Sequence, residues 1–118
     1  MAYMDFEMLK KDKEFKYLYS RGKSFANKKL VMYYTYTKSD VPKIGISVSK
    51  KVGKAITRNY LRRIIKENLR NRQDLKKNIN MIIIVRVGAD DLDYRSMGKS
   101  LSHLFNKCKL TVNNKGDE

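Results

Sequence analysis

The chain is poor in the residues that cross-linking and much protein catalysis require. Among 118 residues there is one cysteine, Cys108, and one histidine, His103, which excludes an internal disulfide and any Cys/His zinc cluster. Cys108 continues an apolar helical stripe and His103 lies off it, and neither has the neighbours that activate an isolated nucleophile or base. Acid is also scarce. Twelve Asp and Glu stand against 27 Lys and Arg, a formal net charge of +15, which repels itself in a folded chain unless a polyanion neutralises it. Nucleic acid is the first such partner and an anionic membrane surface the second. No apolar run approaches the roughly 20 residues of a spanning helix; the run from Met81 to Val85 is a strand's length. Met1-Ala2-Tyr3-Met4-Asp5-Phe6 has neither a basic-then-apolar pattern nor a lipidation motif, so a cytoplasmic protein with no membrane partner is expected. Internal repeats and low-complexity linkers are absent, and no dedicated protein partner is evident.

What is present fits one domain, residues 1–118. With 42% hydrophobic residues there is enough apolar side chain for one core, expected from about residue 9 to 110, with flexible termini and a polar tail from Asn113. Lys10 to Gly22 reads as a helix, with Asp12 as N-cap, Gly22 as the stop and a stripe of Phe15, Leu18 and Tyr19. Ser24 to Ala26 and Leu30 to Thr37 read as strands. In the second, Val31, Tyr33 and Thr35 share one face, and Met32, Tyr34 and Tyr36 the other. After the turn Ser39-Asp40-Val41-Pro42, the stretch Lys43 to Ser49 alternates, with Ile44, Ile46 and Val48 on one side and Gly45, Ser47 and Ser49 on the other. Two readings of that face stand side by side. The aromatic stripe and small-residue row are either ordinary close helix-on-sheet packing or the walls of a trough where nucleic-acid bases stack.

The densest feature is Lys50 to Arg70, with eight Lys or Arg in 21 residues. Its apolar residues keep helical spacing: Leu61, Ile64, Ile65 and Leu69 fall together, while Arg58, Asn59, Arg62, Arg63, Lys66 and Arg70 spread over a neighbouring arc. This is a docking helix with a buried side, starting near Ala55 or Thr57. Gly53 between Lys51 and Lys54 suggests a phosphate cradle, but the second glycine and the Lys-Ser/Thr ending of a nucleotide-binding loop are missing. Asn71 to Asn80 is a polar connection. Met81 to Val87 is the most apolar strand, expected inside the sheet. Asp90-Asp91-Leu92-Asp93 offers three acids that invite a metal, and they read more simply as caps of the last helix. That helix carries Tyr94, Met97, Leu101, Leu104, Phe105 and Cys108 as its core stripe. The order helix, two or three strands, basic helix, strand, helix defines an α+β sandwich.

The stretch Lys50-Lys51-Val52-Gly53-Lys54-Ala55-Ile56-Thr57-Arg58-Asn59-Tyr60-Leu61-Arg62-Arg63-Ile64-Ile65-Lys66-Glu67 resembles the motif of the bacterial ribonuclease P protein subunit family. Phe15 and Tyr19 ahead of Gly22, Val31 and Tyr33, Gly45-Ile46-Ser47-Val48-Ser49, and the closing strand and helix follow the same family order over about residues 9 to 108. Two positions depart from it. Tyr60 stands where the family often has the third member of an Arg-Asn-Arg triplet, removing a charge. Lys66 stands where arginine is frequent, keeping charge without the planar fork. The resemblance implies a single-domain α-β-β-β-α-β-α fold with a left-handed βαβ crossover through the basic helix, against the usual right-handed preference. It implies a ribonucleoprotein endonuclease whose RNA subunit, with magnesium bound mainly by that RNA, removes the 5′ leader of precursor tRNA, and no catalytic residue in the protein. Lys51, Lys54, Arg58, Asn59, Arg62, Arg63, Lys66 and Arg70 would bind the RNA subunit. Phe15, Tyr19, Val31, Tyr33, Ser47 and Ser49 would bind the leader.

Overall fold

The computed structural model describes residues 5–112; the expectation of a flexible tail from Asn113 lies outside them. Eight elements follow one another: β1 (Glu7–Met8), α1 (Asp12–Arg21), β2 (Lys23–Ala26), β3 (Leu30–Tyr36), β4 (Lys43–Val48), α2 (Ala55–Asn71), β5 (Ile79–Val85) and α3 (Tyr94–Lys107). The strands form one sheet in the order β1-β4-β5-β3-β2. β4 and β5 are parallel neighbours joined through α2, whereas β3 pairs antiparallel with both β5 and β2.

The alternation of β3, β4 and β5 gives the sheet two unlike faces. Leu30, Met32, Ile44, Val48, Met81, Ile83 and Val85 point into the main core with α2 and α3. On α2 the four residues of the apolar arc, Leu61, Ile64, Ile65 and Leu69, are all buried, and on α3 so are Met97, Leu101, Leu104 and Phe105. Burying each such side chain contributes about 1.5–3 kcal/mol, which is how a helix carrying this much charge is held in place. The other face bears α1 alone, over a small cluster of Leu9, Leu18 and Ile82 with Phe15, Tyr33 and Ile84 partly covered. β5 lies between β4 and β3, and its consecutive Ile82 and Ile83 are both fully buried, as its unbroken apolar run predicts.

Several local expectations need correction. The sheet has a fifth strand, β1, whose two residues pair parallel with Lys43 and Ile44, so the folded region begins before residue 9. The N-cap of α1 is Lys11, with no side-chain cap, and Asp12 is the first helical residue, where its charge still favours the helix dipole. Gly22 stops α1 without a left-handed turn: its φ is −72°, and a Cβ there would meet the Leu18 carbonyl oxygen at 2.5 Å. Tyr94 is 40% exposed rather than core, and its hydroxyl accepts from Asn71 Nδ2 at 2.9 Å. The polar connection after α2 contains a buried Leu75 that bridges to Thr111. Asp93 caps α3 as expected, in a capping box with Ser96.

Candidate nucleic-acid interface

The open face is read from cross-strand rows. Ala26, Val31, Ile84 and Ser47 form one, and Ser24, Tyr33, Ile82 and Gly45 the next. α1 crosses the second row. Phe15 sits over Gly45, where a Cβ would come within 2.8 Å of its ring, and Tyr19 meets Tyr33 edge-on with ring centroids 5.1 Å apart. The small-residue row therefore divides by position. Gly45 admits a closely packed helix, whereas Ser47 is half-buried and Ser49 exposed beyond α1. The result is a trough with Phe15 and Tyr19 as one wall and Val31, Tyr33, Ile84 and Ser47 as its bed. Burial, and next the Tyr33 phenol, push the Tyr19 hydroxyl above its ordinary pKa, so at neutral pH it is a neutral hydrogen-bonding group.

The basic helix begins at the end of this trough. The Arg62 guanidinium donates to the Val48 carbonyl at 3.4 Å, between Ser47 and Ser49, and to Asn59 Oδ1 at 3.2 Å. Arg58 Nε donates to the Gly53 carbonyl at 3.1 Å, which fixes the loop carrying the exposed Lys51 and Lys54. The first turn of α2 contains no acid, and its free N–H groups beside these lysines make a favourable environment for phosphate. Arg63 is exposed and lies 5.3 Å over the Tyr60 ring, while Tyr60 packs against the main core. Tyrosine at position 60 thus exchanges a cation for a platform under Arg63.

Not all the expected residues gather. Lys51, Lys54, Arg58, Asn59, Arg62, Arg63 and half-buried Lys66 occupy the loop and the first three turns of α2, whereas Arg70 lies about 18 Å of helix beyond Arg58, stacked 5.5 Å over Phe6. Two residues were missed by sequence reasoning, Ile84 in the bed and Arg86 at the trough's end. Arg86 is exposed and its guanidinium donates to the Asn27 carbonyl at 2.7 Å. The signal was present: period two from Ile82 and Ile84 carries Arg86, the one charge in that run, onto the same face.

Two of the three acids before α3 are engaged elsewhere. Asp91 pairs with Lys29 at 2.8 Å, which holds its carboxyl below the usual range, and Asp93 is held low by hydrogen bonds from Ser96. Among the described residues no group of three or more His, Cys, Asp or Glu is placed to hold a metal ion. Nor, among them, is any helix long and apolar enough to cross a membrane.

Comparison with known proteins gives the family. Residues 4–109 match the family model Ribonuclease P. The chain is 46% identical over 114 residues to the ribonuclease P protein component of Clostridioides difficile, covering 92% of this chain and 100% of that protein. It is 41% identical over 107 residues to that of Clostridium acetobutylicum, covering 88% and 90%. The structure of the Staphylococcus aureus RNase P protein superposes with a TM-score of 0.80 at 34% identity, over 87% of this chain and 95% of that one. The Thermotoga maritima protein does so with 0.77 at 27%, over 86% and 96%. With its residue order, strand order and helix placement all agreeing, the chain belongs to the ribonuclease P protein family.

Proposed function

We propose that this chain is the RNA-binding subunit of a cytoplasmic ribonuclease P. It holds the catalytic RNA through the α2 face and the 5′ leader of precursor tRNA in the trough. The observation that carries this reading is the contact between Arg62 and the Val48 carbonyl, which joins the cationic helix to the open end of an aromatic trough. A single-stranded leader stacks its bases on Tyr33, Tyr19 and Phe15 at about 1–3 kcal/mol per base, while Ser47 and Ser49 offer hydroxyls to its edges or sugars. Duplex or folded RNA docks by phosphate on Lys51, Lys54, Arg58, Arg62, Arg63 and Lys66, with Asn59 as a neutral hydrogen-bonding side chain, so binding falls steeply with salt. Arg70, set apart on α2, reaches a separate stretch of the same RNA.

The protein supplies position and charge, not the reacting groups. Magnesium, which the family role calls for, does not fit this chain's described carboxylates: Glu14, Asp74, Asp91 and Asp93 are spent on Lys43, Arg72, Lys29 and the α3 cap, and no three or more His, Cys, Asp or Glu among the described residues are grouped to hold an ion; the RNA phosphates are its natural ligands. A processing assay with precursor tRNA, run across magnesium concentrations with protein alone, RNA subunit alone and both, tests the proposal. The expected result is cleavage at the mature 5′ end only when RNA subunit is present, at a lower magnesium requirement with protein. Cleavage by protein alone, or no effect of protein on the requirement, would overturn it.

A further inference from the structure

α1 divides the open face into two bays. Phe15 and Tyr19 look into the trough already described, whereas Glu14, Tyr17 and Leu18 look the other way, onto the third cross-strand row of Thr35, Asn80 and Lys43. A separate cavity of 320 Å³ lies there, at the small end of the about 300–1,000 Å³ of small-molecule sites. Tyr17 is its outer wall and is 56% exposed, the apolar Leu18 lies behind it, and Thr35 and Asn80 line its sheet side, with Thr37 at the end.

We infer that this second bay binds one unpaired nucleobase of RNA, with Tyr17 as the stacking surface and Thr35 and Asn80 as its hydrogen-bonding edge. The chemistry of each group supports that occupant. Asn80 Oδ1 accepts from the Lys43 backbone N–H at 3.3 Å, which turns the amide's NH2 to the other side, as a donor for a base carbonyl or ring nitrogen. The Thr35 hydroxyl both donates and accepts. The rim is positive, as a nucleotide's phosphate requires: Lys13 is exposed beside the bay. The adjoining Glu14 carboxylate is neutralised by Lys43 at 2.9 Å. Tyr36 takes no part in the stacking, because strand alternation turns its ring toward Tyr34 and under Lys76.

The inference rests on the reading of the chain as an RNA-binding protein, and its test separates the two. Backbone amide NMR of the full chain is followed on titration with adenosine 5′-monophosphate, with ribose 5-phosphate, and with a short single-stranded oligonucleotide. The nucleotide should shift the amides of Thr35, Thr37 and Asn80, and the sugar phosphate should not. Tyr17→Ala, at an exposed helical position, should weaken that response roughly five- to hundredfold, while Tyr17→Phe retains it. Silence of these amides with both base-containing ligands, or equal shifts from ribose 5-phosphate, would overturn the second bay. If Val31 and Ile84 respond to the oligonucleotide while the second bay stays silent, this inference alone fails. Response of the second bay with a silent trough would instead count against the leader site.

Discussion

One sheet presents two surfaces made from alternate residues of the same strands, and they have been put to opposite uses. Toward α2 and α3, Leu30, Met32, Met81 and Ile83 are fully buried. Toward α1, their immediate neighbours Val31, Tyr33 and Ile84 remain partly open. The difference lies in the cover: two long helices close the first face, while a single ten-residue helix crosses the second. Stability is concentrated on the closed side, which leaves the open side free to carry exposed aromatic rings without endangering the fold.

Substitutions on the two sides should separate these roles. The largest effect is expected at Ile83→Ala, which empties a fully buried site and should cost about 2–5 kcal/mol of folding stability, measured by urea unfolding; a smaller loss would mean that the closed face is loosely packed. Tyr33→Ala, one residue along the register on the open face, should weaken leader binding by about 1–3 kcal/mol with a far smaller drop in Tm. Competition between precursor tRNAs with long and minimal leaders, bound to the reconstituted holoenzyme, reads this directly. Arg62→Ala should lower the salt slope of RNA binding by about one; an unchanged slope would assign Arg62 only to its contacts with Val48 and Asn59. The smallest effect is expected from acid, and it should touch both faces alike. Glu14, held low chiefly by its hydrogen bond from Lys43, ties α1 to β4, and Asp74, held low chiefly by Arg72, steadies the guanidinium that also donates to Ser102 of α3. Both carboxyls bind protons less readily folded than unfolded, so their contribution is complete above the ordinary carboxylate range of about 3.9–4.3 and is lost as pH falls through the depressed folded values. Thermal unfolding followed from pH 7 to pH 2 should show a plateau and then a decline, with amide exchange in α1 and α3 rising together. A decline beginning near neutrality would contradict this assignment.

The closed face was largely legible in the sequence because burial leaves a period. Leu61, Ile64, Ile65 and Leu69 mark α2, and the alternation of β4 predicts which of its side chains are core. The open face was legible in outline, with Phe15, Tyr19, Val31, Tyr33 and Ser47 converging as expected. What the sequence withheld has physical reasons. Glu7 and Met8 are too few to show a period, and they become a strand only by pairing with β4. Tyr94 satisfies the helical spacing of the α3 stripe, yet in the first turn of that helix it reaches past the core to Asn71. Leu75 is a lone apolar residue in a polar stretch, and only the return of the chain near Thr111 buries it. The second bay was hidden because Tyr17, Thr35 and Asn80 come from three elements, and nothing short of the tilt of α1 across the strands brings them together.

Gly45 has a consequence for the shape of the molecule. With no side chain there, the Phe15 ring settles against the backbone of β4, and that contact sets the height at which α1 rides above the sheet. The depth of both bays is therefore governed by a methyl group that is missing rather than by the residues that line them. Changing Tyr19, Tyr33 or Tyr17 alters what a bound base touches; adding one carbon at position 45 alters the relief into which every base is received, with each lining residue still in its place.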